Sequence, residues 1–192
     1  MKQVYFATRN QGKIDSLGLV FSQYEVEIIQ VPLDVPEPRS DSLDNIATQK
    51  VLLAYRQIQK PCIAVDAGCF VDSLDGFPGP YVNYALRTIG IEGILKLVEG
   101  KSREASLRSS LAYFDGAEET PLCFSSEIEG VLSPTPRGEW KDYFWSKLFH
   151  VFIPTGKTIT LAEMSRGEYE EWRSQTSKDS FSAKFASWYA QK

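Results

Sequence analysis

The sequence holds a single histidine, His150, in 192 residues. Flanked by Phe149 and Val151, a lone imidazole in an apolar segment reads first as a satisfied structural group, and no serine or cysteine triad can be argued around it. Cysteine is scarce too: Cys62, Cys69 and Cys123 sit among apolar or strand-like neighbours, without the paired spacing that holds zinc. They read as reduced core thiols. No run reaches the roughly eighteen apolar residues that a membrane-spanning helix needs, and the opening MKQVYFATRN has too short an apolar run for a targeting segment. A cytoplasmic protein without a membrane partner is expected. Basic charge is not in excess either: 21 lysines and arginines against 25 acids leave a formal charge of −4, which gives no global attraction for nucleic acid. Any phosphate site must be local. There is no internal repeat and no low-complexity tract.

At 43% hydrophobic residues, the chain is long enough to bury a sizeable core. QVYFAT reads as a short buried strand, and KIDSLGLVFSQY repeats apolar residues at helical spacing through Ile14, Leu17, and Val20 or Phe21. EVEIIQVPL follows as a second strand, and VPEPRSDS as a proline-stiffened loop. Asp41 or Ser42 can cap the next helix, LDNIATQKVLLAYRQIQ, which ends before Pro61. CIAVDAG then restores a strand that ends near Asp66. This alternation starts an α/β fold. Further on, CFVDSLDGFPGPY is rich in turn signals and IEGILKLVEG gives a short amphipathic helix. Residues 104–133 suggest two strands joined near a DG turn, with Ala105, Leu107, Ser109, Leu111 and Tyr113 alternating to one side. VFIPTGKTITLAEM supplies a strand and a turn, and the chain closes in a mostly helical, charged segment.

The corner ATRNQGK, residues 7–13, lies between the first strand and the first helix. A helix start exposes unpaired N–H groups, glycine allows close backbone approach, and lysine is a mobile point charge, a combination that suits phosphate. The order is not that of a P-loop, and alone it is a weak signal. Glu37 in the proline-rich loop and Asp66 near the end of its strand both fit the carboxyl edge of the sheet, where open α/β folds bind ligands. Two carboxylates beside a phosphate-binding turn imply magnesium, a hard ion that commonly bridges one or two carboxylates to substrate phosphates. The structural alternative is a turn-capping Asp66 and a solvated Glu37. Lys50, between apolar positions in NIATQKVLLAY, either reaches the same cleft or snorkels at a helix edge. Tyr143, Phe144, Trp145 and Phe149 either stack on a base or belong to the core.

Taken in order, FATRNQGK, PEPR, IATQK, PCIAVDAG, DGFPGPYVNYAL, IEGILKLVEGK and FIPTGKTITLAEMS resemble the inosine triphosphate pyrophosphatases, closest to their archaeal and eukaryotic branch. These enzymes hydrolyse non-canonical purine nucleoside triphosphates to monophosphate and pyrophosphate. The resemblance implies one domain over residues 1–192, an elongated two-lobed α/β fold with a central twisted mixed sheet flanked by helices, and a homodimer. It also implies roles. Thr8, Asn10 and Lys13 match the phosphate loop, and Lys50 matches the helix lysine that approaches the triphosphate. Glu37 matches the metal-binding glutamate, and Asp66 the acid associated with metal binding and water activation. Candidate catalytic groups are therefore Asp66, Lys13 and Lys50. Candidate substrate contacts are Thr8, Asn10, Lys13, Lys50 and Trp145, with Mg2+ held by Glu37 and Asp66.

The departures from the family pattern fall unevenly. The first acid of the paired-acid, serine, glycine motif is Val65 here and its serine is Ala67. The basic residue usual after PGPY is Asn83. The glycine-aromatic-aspartate-proline segment is replaced by DYFWSKLFH, where Trp145 can take the aromatic place. No serine-histidine-arginine motif follows AEMS, which continues as RGEYEEWRSQTSKDS. Phosphate and metal positions are largely kept while base-reading positions are rewritten. The expectation is a magnesium-dependent nucleoside triphosphate pyrophosphohydrolase with altered base specificity. The alternative is a weakened homologue that binds nucleotides without turnover.

Overall fold

The structure is a computed structural model that describes residues 1–33, 35–36, 38–141 and 143–192. Seven described strands form one mixed sheet: β1 (Lys2–Ala7), β2 (Val26–Val31), β3 (Cys62–Val71), β4 (Pro78–Gly79), β5 (Glu104–Phe114), β6 (Leu122–Leu132) and β7 (Phe152–Pro154). Their order is β2-β1-β3-β5-β6-β7, with β4 on β3. β1 runs parallel to β2 and β3, whereas β4 and β7 pair antiparallel with β3 and β6. Six α-helices accompany them: α1 (Gln11–Phe21), α2 (Leu43–Ile58), α3 (Val82–Thr88), α4 (Gly90–Leu97), α5 (Arg166–Ser177) and α6 (Phe181–Gln191).

The chain divides into two compact units. The first comprises Met1–Asp66, Ser109–Ser126 and Thr176–Lys192. Its β3 segment shows why the sheet is covered on both faces here. Cys62 and Ala64 pack with Ala47, Val51 and Ala54 of α2, while Ile63 and Val65 pack on the other side with Leu17 of α1 and Phe185 of α6. Side chains alternate across a strand, so Asp66 continues the Cys62–Ala64 row toward α2. Both connecting helices begin as their sequences dictate. Asn10 Oδ1 accepts from the Lys13 amide at 3.2 Å, and Ser42 Oγ from the Asn45 amide at 3.3 Å. Each thereby satisfies one of the orphan donors of a first helical turn.

The second unit, Ala67–Arg108 and Glu127–Gln175, has its own core around Leu132, Phe144, Phe149, Phe152, Leu161 and Met164. Ser165 and Glu168 form a reciprocal capping box at the start of α5: Ser165 N donates to Glu168 Oε2 at 2.8 Å and Glu168 N to Ser165 Oγ at 3.3 Å. These bonds hold the Glu168 carboxyl below its usual range.

Three expectations need correction. Asp66 is the fifth residue of a ten-residue strand and not at its end. Yet the register Phe6↔Ile63 carries it past the last residue of β1, so it still stands at that neighbour's carboxyl edge. β5 buries Ala105, Leu107, Leu111 and Tyr113 of the expected row, and on its other row Ser106 and Ser110 are buried as well while Arg108 is exposed. Directly after the turn-rich CFVDSLDGFPGPY comes a helix that was not expected, α3. The closing segment is mostly helical as expected, in two helices broken at Lys178–Ser180. Of the cysteines, Cys62 and Cys69 are core thiols that burial pushes up to about 12, but Cys123 is exposed.

Candidate active site

β1 ends at Ala7, and the chain turns through Thr8, Arg9 and Asn10 before entering α1. Thr8 N donates to Val31 O at 3.1 Å, and Gln30 Nε2 returns a bond to Thr8 O at 3.2 Å, which ties the corner to β2. Thr8 Oγ1 accepts from the Asn10 amide at 3.1 Å. Asn10 then caps the helix, so the TxN pattern is first of all a way of building this turn. Its side-chain oxygen is engaged with the Lys13 amide. Asn10→Ala should therefore cost about 1 kcal/mol of stability, the usual loss of an N-cap, while Asn10→Ser should retain most of it. Thermal unfolding of the two variants checks this, and equal melting temperatures would deny the cap its role.

The built corner aims Lys13 at β3. Lys13 Nζ donates to the Val65 carbonyl at 3.2 Å, across 52 residues of sequence. From the other side, α2 brings Lys50 Nζ to 3.1 Å from Asp66 Oδ1. The Asp66 and Lys50 side chains keep only 6% and 15% of their exposure. Two ammonium groups from two helices thus meet adjacent residues of one strand. Lys50 reaches Asp66 and is not a snorkelling surface lysine. Arg9, which the residue-by-residue reading passed over, is an exposed cation at the same corner, with Nε on Pro32 O at 3.4 Å. Its position inside ATRNQGK was the available signal.

Val65, where the resemblance expects the first acid, is 6% exposed and packed in the apolar cluster with Val4, Phe6 and Leu111. An apolar side chain there joins the core and supplies no ligand. Glu37 lies outside the described residues. Among the described residues no three acids, cysteines or histidines gather into a metal cage. The Asp66 carboxylate is nevertheless a hard oxygen donor beside the Lys50 ammonium, with the Lys13 ammonium on the carbonyl of the preceding residue. That fits magnesium, which takes one or two carboxylates and completes its shell with substrate phosphates and water.

The residues proposed for the base belong to the second unit. Trp145 is half-buried, edge-to-face with Phe149 at a ring separation of 5.3 Å. Phe144 and Phe149 are buried in the same core. His150 Nδ1 lies 3.2 Å from Arg137 O, which gives the lone histidine a structural partner. Where a serine-histidine-arginine motif was looked for, RGEYEEWRSQTS forms α5, which buries Tyr169 and Trp172.

Residues 4–177 match the Ham1 family. A dITP/XTP pyrophosphatase of Methanopyrus kandleri is 37% identical over 188 residues, 97% of this chain and 96% of that protein. An inosine triphosphate pyrophosphatase of Yarrowia lipolytica is 31% identical, covering 84% of each. Among solved structures, the Staphylococcus aureus Ham1 protein superposes with a TM-score of 0.77 at 23% identity, covering 100% of both chains. A HAM1 protein of Coxiella burnetii gives 0.78 at 20% identity, covering 100% of this chain and 98% of that one. These two likenesses establish the fold.

Proposed function

This chain belongs to the Ham1 family, and from that premise we propose that it is a magnesium-dependent nucleoside triphosphate pyrophosphohydrolase. It releases a nucleoside monophosphate and pyrophosphate from a non-canonical purine nucleotide, with base selectivity that differs from the family pattern. The observation that carries this reading is the approach of Lys13 and Lys50 to adjacent residues of β3, Lys13 to the Val65 carbonyl and Lys50 to the Asp66 carboxylate. Groups of the types needed for a triphosphate and its counter-ion are thus supplied by three elements.

The chemistry is hydrolysis of the bond between the α- and β-phosphates: water adds at the α-phosphorus and pyrophosphate departs. Positioning and charge neutralisation supply most of the acceleration in such transfers. Lys13 and Lys50 hold the phosphate oxygens and offset the charge that moves onto the leaving pyrophosphate. Asp66, with Glu37 by resemblance, would hold magnesium and orient the attacking water by accepting its hydrogen bond. The ion, when bound, supplies Lewis-acid charge at the phosphates. Thr8 and Asn10 shape the turn that delivers the α1 amides. Trp145 is read as the base-stacking aromatic, residues 1–192 as one such domain, and the protein as a cytoplasmic homodimer. For these the support is the resemblance alone.

A second reading has one specific observation behind it. Val65 puts an apolar core residue where the family carries an acid, which favours nucleotide binding with weak or no turnover. The deciding experiment measures pyrophosphate release from a panel of canonical, deaminated and modified nucleoside triphosphates, with and without magnesium. Metal-dependent release with one preferred base supports the enzyme and identifies its substrate. Binding across the panel without release overturns the hydrolytic reading. Trp145→Ala in the same panel should weaken binding of every base, and unchanged affinities would return Trp145 to the core.

A further inference from the structure

Around Lys50, helix α2 meets the sheet through small side chains: Ala47, Val51 and Ala54 pack with Cys62, Ala64 and Ala112, and the larger Tyr55 contacts Phe114 and donates to Asp115 O only toward the helix end. Small surfaces allow close approach, but they interdigitate little and so fix the separation of helix and sheet better than the rotation of the helix about its own axis. That rotation matters, because Lys50 stands on one flank of the buried stripe with its ammonium on Asp66.

The opposite flank is bonded to β6. Ser125 Oγ donates to Asp44 Oδ1 at 2.7 Å, and one helical turn further Thr48 Oγ1 lies 3.3 Å from Cys123 Sγ. The spacing matches on both sides: residues four apart share a helix face, and residues two apart share a strand face. Ser125 is itself held from α6, where Lys184 Nζ donates to its carbonyl at 3.1 Å. With about 100° per residue, Asp44 and Thr48 lie roughly 140° around the helix from Lys50, with the alanine stripe between them. Helix α2 is thus gripped on both flanks by directional bonds.

We infer that Asp44, Thr48, Cys123 and Ser125 are positioning residues: their lateral bonds set the roll of α2 and so hold Lys50 at Asp66. This rests on the reading of Lys50 and Asp66 as substrate-handling groups. None of the four reaches the site, so their effect passes through Lys50.

The test pairs Ser125→Ala and Thr48→Val, singly and together, with Lys50→Ala. In the native background the double lateral variant should lower kcat for pyrophosphate release by about tenfold, within the range that coupled neighbours show, with little change in KM. In the Lys50→Ala background the same pair should have no further effect on kcat, because the group it positions is gone. Ser125→Thr, which keeps the hydroxyl, should restore the rate. A kcat loss of equal factor in both backgrounds would overturn the inference, since it would mark a general structural role. A second readout does not depend on turnover. Denaturant unfolding of the Lys50→Ala, Asp66→Asn cycle measures the coupling of that pair, which should shrink in the Ser125→Ala, Thr48→Val protein. If the native enzyme releases no pyrophosphate, the hydrolytic reading fails, and this coupling decides the positioning claim by itself. An undiminished coupling would then refute it.

Discussion

Asp66→Asn is expected to lower kcat by about 10²–10³, the scale on which removal of a single preorganised electrostatic group acts. The substitution keeps the shape of the side chain and one hydrogen-bond acceptor while removing the charge. Two consequences follow from where Asp66 stands. At 6% exposure, it faces an ammonium 3.1 Å away that is 15% exposed, so Lys50 would lose its counter-charge in a site with little water to replace it. Breaking a buried pair typically costs about 3–5 kcal/mol, and the residual exposure of Lys50 puts the expected loss of stability toward the lower end. A metal-binding carboxylate would also be gone, so the magnesium concentration needed for half-maximal rate should rise. Steady-state rates across a magnesium series, with a thermal melt of the same protein, separate the effects. A variant that is folded, nearly inactive and metal-hungry fits the assignment. A folded variant with native rate and native magnesium requirement would remove Asp66 from the reaction.

A second large loss of stability should come from Gly138→Ala in the second unit. Gly138 has φ +78°, and a Cβ there would sit 2.3 Å from the Ala162 carbonyl carbon, 2.5 Å from its oxygen and 2.6 Å from the Glu163 amide. These are backbone atoms and cannot swing aside. They also belong to a tight polar turn. The Thr160 amide donates to Glu163 Oε2 at 2.7 Å, and Arg137 Nε lies 3.4 Å from the same oxygen. Left-handed strain of roughly 1–2 kcal/mol and overpacking of about 1–3 kcal/mol give an expected loss of about 2–5 kcal/mol. In a chain of this size that lowers the melting temperature by roughly 4–20 °C. Gly156→Ala is the control: φ is +79° but no atom lies within 4 Å of the added carbon, so only the conformational penalty applies. Equal melting temperatures for the two variants would show that the close approach at Gly138 is not tight in solution.

The parts of the fold that were legible share one property. In β1, α1 and α2 the apolar period, the cap and the stop all lie within a few residues of each other. Ser42 could be read as a cap because capping is a local bond between a side chain and an amide three residues on, and Asn10, read only as a phosphate-loop residue, makes the same bond at α1. Helix α3 was not legible. It is seven residues long, follows two turn-forming prolines, and buries only Val82 and Ala85, too few positions for a period to register. Ser106 and Ser110 were not legible for another reason: serine is small enough to be buried, and nothing in the sequence marks them off from exposed serines. Cys123 shows the converse, since a strand-like neighbourhood does not fix which face a residue takes.

The sequence by itself determined the kinds of chemistry available: a lysine-bearing turn ahead of a helix, a second lysine in a helix, and an acid in a strand. Chain order and local bonding carry that information. Only the tertiary structure decided that Lys13 and Lys50 meet neighbouring residues of β3, and that Val65 faces the core while Asp66 faces α2. Those outcomes depend on strand register and on the roll of a helix over small side chains. Both are set by contacts between segments 16 to 81 residues apart, which no local pattern encodes.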